Sequence, residues 1–147
     1  MGWNGTNFDM LRSTIANGLA VDVTRMAELR ATTQWVSATG VSGAAVTASL
    51  PAAGAGQFHY ITTLIISLYA AAARTGAATP STVTTTNLPG SPAFSFPTAQ
   101  AIGAIDRRDI PFTTPVKSAV ANTATTVVAA AATGGIWRIN VGYFTGP

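Results

Sequence analysis

Residues 58–73 read FHYITTLIISLYAAAA, the longest strongly apolar run in the chain. The run is rich in β-branched and aromatic residues, which suit a pleated, packed surface. It is read as the central strand of an all-β domain. Strict alternation puts Phe58, Tyr60, Thr62, Leu64, Ile66 and Leu68 on one face, the expected core face. His59, Ile61, Thr63, Ile65, Ser67 and Tyr69 fall on the other. That second face is too apolar for a surface turned to water, so it calls for cover from another sheet, another subunit or a partner.

Working outward, the flanking sequence breaks into short strands and turns. TTQWVSAT (32–39) and SGAAVTASL (42–50) precede the central strand, with PAAGAGQ (51–57) as a loop. TVTTTNL (82–88) and AFSF (93–96) follow, separated by NLPGSP, in which Pro89 presets φ and Gly90 allows a positive one. DRRDIPF (106–112) reads as an edge strand, because Pro111 and the charges resist further pairing. Residues 115–123 read mostly as connection. ATTVVAAAA (124–132) and GIWRINVGYF (135–144) read as a hairpin closed at Thr133-Gly134-Gly135. In its second strand Trp137, Ile139, Val141 and Tyr143 share a face opposite Arg138 and Asn140. Trp137 is expected to fill the space left by the small residues of 124–132. Seven or eight closely spaced strands predict a β-sandwich, with a jelly-roll-like or related Greek-key topology.

The first thirty residues differ. They carry Arg12, Arg25 and Arg30 against Asp9, Asp22 and Glu28, whereas residues 31–73 carry no formal charge apart from His59. This shift marks an N-terminal arm (1–30) joined to a sandwich domain (31–147). Two short helical turns are expected in the arm, near residues 10–19 and 25–30. Both are too short to persist alone, so they must dock on their own body or on a neighbouring protein.

Composition narrows the function. Charged residues make up 9% of the chain, against about 25% in ordinary domains. Such a surface is at risk of association, and assembly would hide it. The net charge of +3 comes from scattered residues, with no basic run longer than Arg107-Arg108, so no nucleic-acid partner is expected. Without cysteine there is no disulfide, Cys-bearing zinc site or thiol nucleophile. The N-terminus lacks the basic and apolar regions of a signal peptide. Its Met1-Gly2 and Thr6 match a short myristoylation pattern that chance readily supplies, with no second anchoring signal. The central run falls short of the roughly 20 apolar residues that span a bilayer, and no membrane partner is expected.

Catalytic material is scarce. The single His59 has no acidic residue within 30 positions and reads as a sheet-face or subunit-contact residue. Asp106-Arg107-Arg108-Asp109 reads as a solvated or intersubunit salt-bridge cluster. No phosphate-binding glycine pattern or GxSxG is present. The chain is expected not to be an enzyme and to use no cofactor or metal.

FHYITTLIISLYAAAA, TTTNLPGSPAFSF and TATTVVAAAATGGIWRINVGYF resemble stretches of the small β-sandwich decoration, or cement, proteins of tailed bacteriophage capsids. The resemblance spans roughly residues 55–144. It implies a jelly-roll-like protomer, commonly a homotrimer, bound to the major capsid protein on the outer surface of the virion and reached by an N-terminal arm. Trp3, Phe8, Leu11, Met26 and Leu29 are the arm residues suited to anchor it. His59, Ile61, Ile65 and Tyr69 are the expected subunit interface. The alternative is a receptor- or glycan-binding module of a fibre or tail tip. Against it, Trp35 and Trp137 sit in strands and the loops carry Ala, Gly and Pro.

Overall fold

Eight strands build the domain in a computed structural model that describes residues 33–77 and 79–147. They are β1 (Gln34–Thr39), β2 (Val46–Leu50), β3 (Phe58–Ala70), β4 (Ser81–Thr85), β5 (Ala93–Phe96), β6 (Ile105–Lys117), β7 (Thr125–Ala129) and β8 (Gly135–Gly146). The described residues hold no helix. The expected arm, with its helical turns and its anchors Trp3, Phe8, Leu11, Met26 and Leu29, lies outside them.

The strands form two antiparallel four-stranded sheets, ordered β1-β8-β3-β6 and β2-β7-β4-β5. Strand β1 pairs with β8, β2 with β7, β3 with β6 and β4 with β5. This is the pairing of one long hairpin rolled over onto itself, the jelly roll. Only the β4–β5 connection stays within a sheet; every other link crosses between the two. The 106–112 segment is an edge strand as expected, but it continues through Lys117, further than the sequence reading carried it.

The expected terminal hairpin does not form. Strands β7 and β8 lie in different sheets, and residues 130–134 turn the corner between them. Two glycines make this corner tight. Gly134 has φ 72°, a region side chains rarely adopt. A Cβ on Gly135 would sit 2.7 Å from Leu68 Cδ1. Glycines here suit a corner as well as a hairpin, so local chemistry alone could not separate the two.

The expectation for Trp137 holds across the sandwich rather than along a hairpin. Its ring is fully buried and meets Phe96 of the opposite sheet edge-to-face, 5.0 Å between centroids. Its Nε1–H donates to the Ala130 carbonyl at 2.8 Å, so the indole's polar atom is satisfied inside the core. Leu50, Leu64, Ile66, Leu68, Val83, Val127, Ile139 and Val141 complete the same apolar layer. A Trp137→Ala chain should lose about 3–5 kcal/mol of stability in a denaturant titration. Trp137→Phe, which keeps a ring but gives up the bond to Ala130, should lose less.

Candidate interaction surface

Strand β3 does not alternate strictly. Ile61 pairs with Tyr143, while Thr63 pairs with Gly142, leaving Thr62 as an extra residue in the ladder. This β-bulge shifts the side-chain phase by one position. Before it, His59 and Ile61 point inward; after it, Leu64, Ile66, Leu68 and Ala70 do. Phe58 and Tyr60 therefore leave the expected core face and turn outward.

This corrects half of the expected interface. His59 is only 1% exposed and Ile61 is equally buried, so both belong to the protomer's own core. Ile65 and Tyr69 lie past the bulge, and the register sets them on the outer face of the first sheet.

That face can be read row by row across the ladder. Trp35, Gly142, Thr63 and Pro111 are aligned, as are Ser37, Asn140, Ile65 and Asp109. Thr39, Arg138, Ser67 and Arg107 form the next row; Ile136, Tyr69 and Ile105 close the series. Trp35 is 54% exposed, Tyr69 40% and Ile105 67%. The Trp35 ring approaches Gly142 closely. A Cβ there would sit 3.1 Å from Trp35 Cη2 and 3.1 Å from Thr62 Oγ1, so the glycine makes room for an indole laid over the strand.

Two pairs of polar side chains meet on this face. Ser37 Oγ–H donates to Asn140 Oδ1 at 2.7 Å. Arg107 Nε donates to both carboxylate oxygens of Asp109, at 2.8 and 3.0 Å. On the opposite side of β6, Arg108 reaches Asp106 at 3.5 Å. The DRRD cluster is thus two ion pairs, each on its own side of the strand. Both arginine side chains are more than half exposed, so these pairs add little stability. Towards the start of β3 the outer face turns aromatic. Tyr60 stacks on Phe144 at 4.9 Å, and Lys117 Nζ lies 3.8 Å from the Phe58 ring centroid.

His59 closes the sandwich at that end. The Pro51 carbonyl can only accept, so Nε2–H donates to it at 2.9 Å. Nδ1 then accepts from the Thr125 hydroxyl at 2.9 Å. Asn87, in the left-handed region at φ 56°, donates to Thr125 Oγ1 and accepts from the Val120 amide at 2.8 Å. Three loops are joined through this chain of polar groups. The histidine has its partners in neutral form: a hydroxyl on Nδ1 and a carbonyl on Nε2, with no carboxylate on the ring among the described residues. Among the described residues no group of three or more metal-ligating side chains stands together, and no helix is long and apolar enough to cross a membrane.

Sequence reading missed the outer-face roles of Trp35, Ile105 and Ile136. Their assembly depends on the pairing of β1, β6 and β8 around β3. Only the consecutive threonines 62 and 63, which interrupt the spacing of the buried positions 59, 61, 64, 66, 68 and 70, signal the bulge.

Together these features define an eight-stranded jelly-roll sandwich with a mixed aromatic, aliphatic and guanidinium outer face. No family model matches the chain, and no curated protein matches it. Among solved structures, the chain has low similarity to the virus-like particle of the extra small virus of the giant freshwater prawn Macrobrachium rosenbergii. The two are 12% identical over 76% of this chain and 75% of that one, with a TM-score of 0.33. It has a similar likeness to the coat protein of Tobacco streak virus: 12% identity, 75% of this chain and 85% of that one, TM-score 0.29. Both neighbours are viral particle proteins, and at this level the likeness carries no functional argument.

Burial lowers the His59 pKa below the ordinary value of 6.5, against an opposing pull from the Pro51 carbonyl. The unfolded chain therefore takes up a proton at higher pH than the folded one. Stability should be level above about pH 7 and fall as pH drops through 6.5 towards the lower folded value. Since this is the chain's one histidine, chemical denaturation across pH 5–8 should show that slope in the wild type. A His59→Gln chain should lose most of it.

Proposed function

We propose that the chain is a virion structural protein: a cement or decoration protein that binds the major capsid protein on the outer surface of a phage shell. The observation that carries this reading is the outer face of the first sheet, where Trp35, Ile65, Tyr69, Ile105 and Ile136 share one strand-backed surface, crossed by the row of Thr39, Arg138, Ser67 and Arg107. Isolated exposed apolar residues are ordinary on a soluble protein, but a group of this kind on one rigid sheet suits a docking face. The resemblance of residues 55–144 to phage decoration proteins supports the choice of partner.

In this reading Ile65 and Tyr69, expected from the sequence at a subunit interface, contribute instead to the capsid contact, Trp35 supplies its broadest anchor, and the paired Asp109 and Arg107 form its rim. The arm residues Trp3, Phe8, Leu11, Met26 and Leu29 provide a second point of attachment. Self-association as a trimer multiplies these contacts, and linked contacts raise avidity without any single one being strong. The work done is mechanical: neighbouring capsid subunits are held by a ligand that must release several sites at once. Because apolar area carries more of the contact than net charge, attachment should be nearly independent of salt.

Co-sedimentation with capsids stripped of the protein tests this directly. The wild-type chain should remain on capsids from 0.1 to about 1 M NaCl, since screening removes only the electrostatic share. Ile65→Asp should keep its thermal midpoint within a few degrees, because Ile65 lies outside the sealed core, yet lose most of its capsid binding. Failure of the wild type to co-sediment would defeat the proposal. Undiminished binding by a folded Ile65→Asp chain would remove this face from it.

A further inference from the structure

At the other end of β3 a buried cation lines a cleft. Arg74 is only 9% exposed, and it is the sole formal charge between residues 31 and 105. Its Nε donates to the Thr133 carbonyl at 3.2 Å. Nη1 donates to the Pro97 carbonyl at 3.1 Å and to Gln100 Oε1 at 2.5 Å, and Nη2 to Ser81 Oγ at 2.8 Å. Every one of these acceptors is neutral. The two side-chain carboxylates of the described residues, Asp106 and Asp109, are taken by Arg108 and Arg107. The guanidinium is therefore held in place and hydrogen-bonded, but no described residue balances its charge. Burying a cation in that state is costly unless something compensates it.

A guanidinium has five N–H groups, and four are engaged here. The fifth, on Nη2, has no acceptor among the described residues. Ser81 Oγ accepts from Arg74 and keeps its own proton to donate. These two donors lie side by side, as a carboxylate's two oxygens require. The cleft beside them has a volume of about 410 Å³ and is lined further by Thr75, Thr82, Thr98 and Thr133 between alanines. That volume is in the range of small-ligand sites. Hydroxyls separated by methyl groups suit a ligand that is itself a ring of carbons bearing hydroxyls.

We propose that this cleft binds an acidic monosaccharide, a sugar carrying one carboxylate. The carboxylate sits on Arg74 Nη2 and Ser81 Oγ, and the sugar hydroxyls face the threonines. Phosphate fits less well, because the backbone amides of Arg74, Ala77 and Ala130, which line the cleft, are already given to the Gln100 carbonyl, Thr98 Oγ1 and the Thr82 carbonyl. The cleft shares no residue with the outer sheet face, so a decoration protein could hold a shell with one surface and a surface glycan with the other. The two roles can fail separately.

The test is titration of the full-length chain with galacturonate and with N-acetylneuraminate, followed by NMR shifts of the residues around Arg74. One or both should bind at millimolar concentration or better. Galactose, which lacks the carboxylate, and acetate, which lacks the ring, should bind at least tenfold more weakly. Arg74 ties three segments together, so its replacement risks the fold. Ser81→Ala is the cleaner variant: it leaves three of the Arg74 contacts and should weaken binding about fivefold with an unchanged thermal midpoint. Equal binding of galactose or acetate, tighter binding of an acidic peptide or of inorganic phosphate, or full affinity in Ser81→Ala would each overturn the proposal.

Discussion

One extra residue in β3 decides which side chains this protein keeps and which it shows. The bulge at Thr62 sits where β3 pairs with β8, in the middle of the sheet that carries most of the long strands. Its effect is a change of phase. An uninterrupted strand that buried Leu64, Ile66 and Leu68 would also bury Phe58 and Tyr60 and turn His59 and Ile61 outward. With the bulge, His59 reaches the loops at one end of the sandwich and Ile61 joins the core. Phe58 and Tyr60 meet Lys117 and Phe144 on the outside. The outer face beyond the bulge keeps the order that alternation predicts, so Ile65 and Tyr69 stay together with Trp35 and Ile105.

The rest of the fold secures the ends of that strand. At its start, His59 ties the β2–β3 loop to Thr125, and Asn87 extends the link to residues 118–123. Beyond its end, Arg74 draws together residues 81, 97–100 and 133. Between them the two sheets meet through Trp137 and Phe96. The ends differ in chemistry. The His59 end is neutral and satisfied, which makes it a structural seal that acid weakens. The Arg74 end carries a charge that no described residue balances, beside an open cleft, which makes it a place for a ligand.

Much of the architecture could be read from the chain. Strand β5 was legible to the residue, because Pro92 and Pro97 bracket AFSF. The inward face of β8 was legible because Trp137, Ile139, Val141 and Tyr143 alternate cleanly with Arg138 and Asn140. Sheet membership was harder. The Thr133-Gly134-Gly135 turn gives the same local signal for a hairpin and for a corner, and only the competing pairings of β7 with β2 and β8 with β1 separate them. The outer face of β3 was half legible for a related reason. Alternation was extrapolated through Thr62-Thr63, and a bulge reverses every assignment on one side of it. The Arg74 cluster has no sequence motif, since its partners are spread from 81 to 133. Its one trace is a lone arginine in a long uncharged stretch.

The phase change in β3 can be measured directly, because the chain has no cysteine of its own. Four single-cysteine chains, at His59, Ile61, Ile65 and Tyr69, would be labelled under native conditions with a thiol reagent. Each would be compared with its rate when unfolded. Labelling at 65 and 69 should be fast in the folded protein, whereas labelling at 59 and 61 should be slowed by orders of magnitude and follow global opening. Similar rates at all four positions, or fast labelling at 61 with protection at 65, would mean that the strand alternates without the bulge and that the outward face has been assigned wrongly.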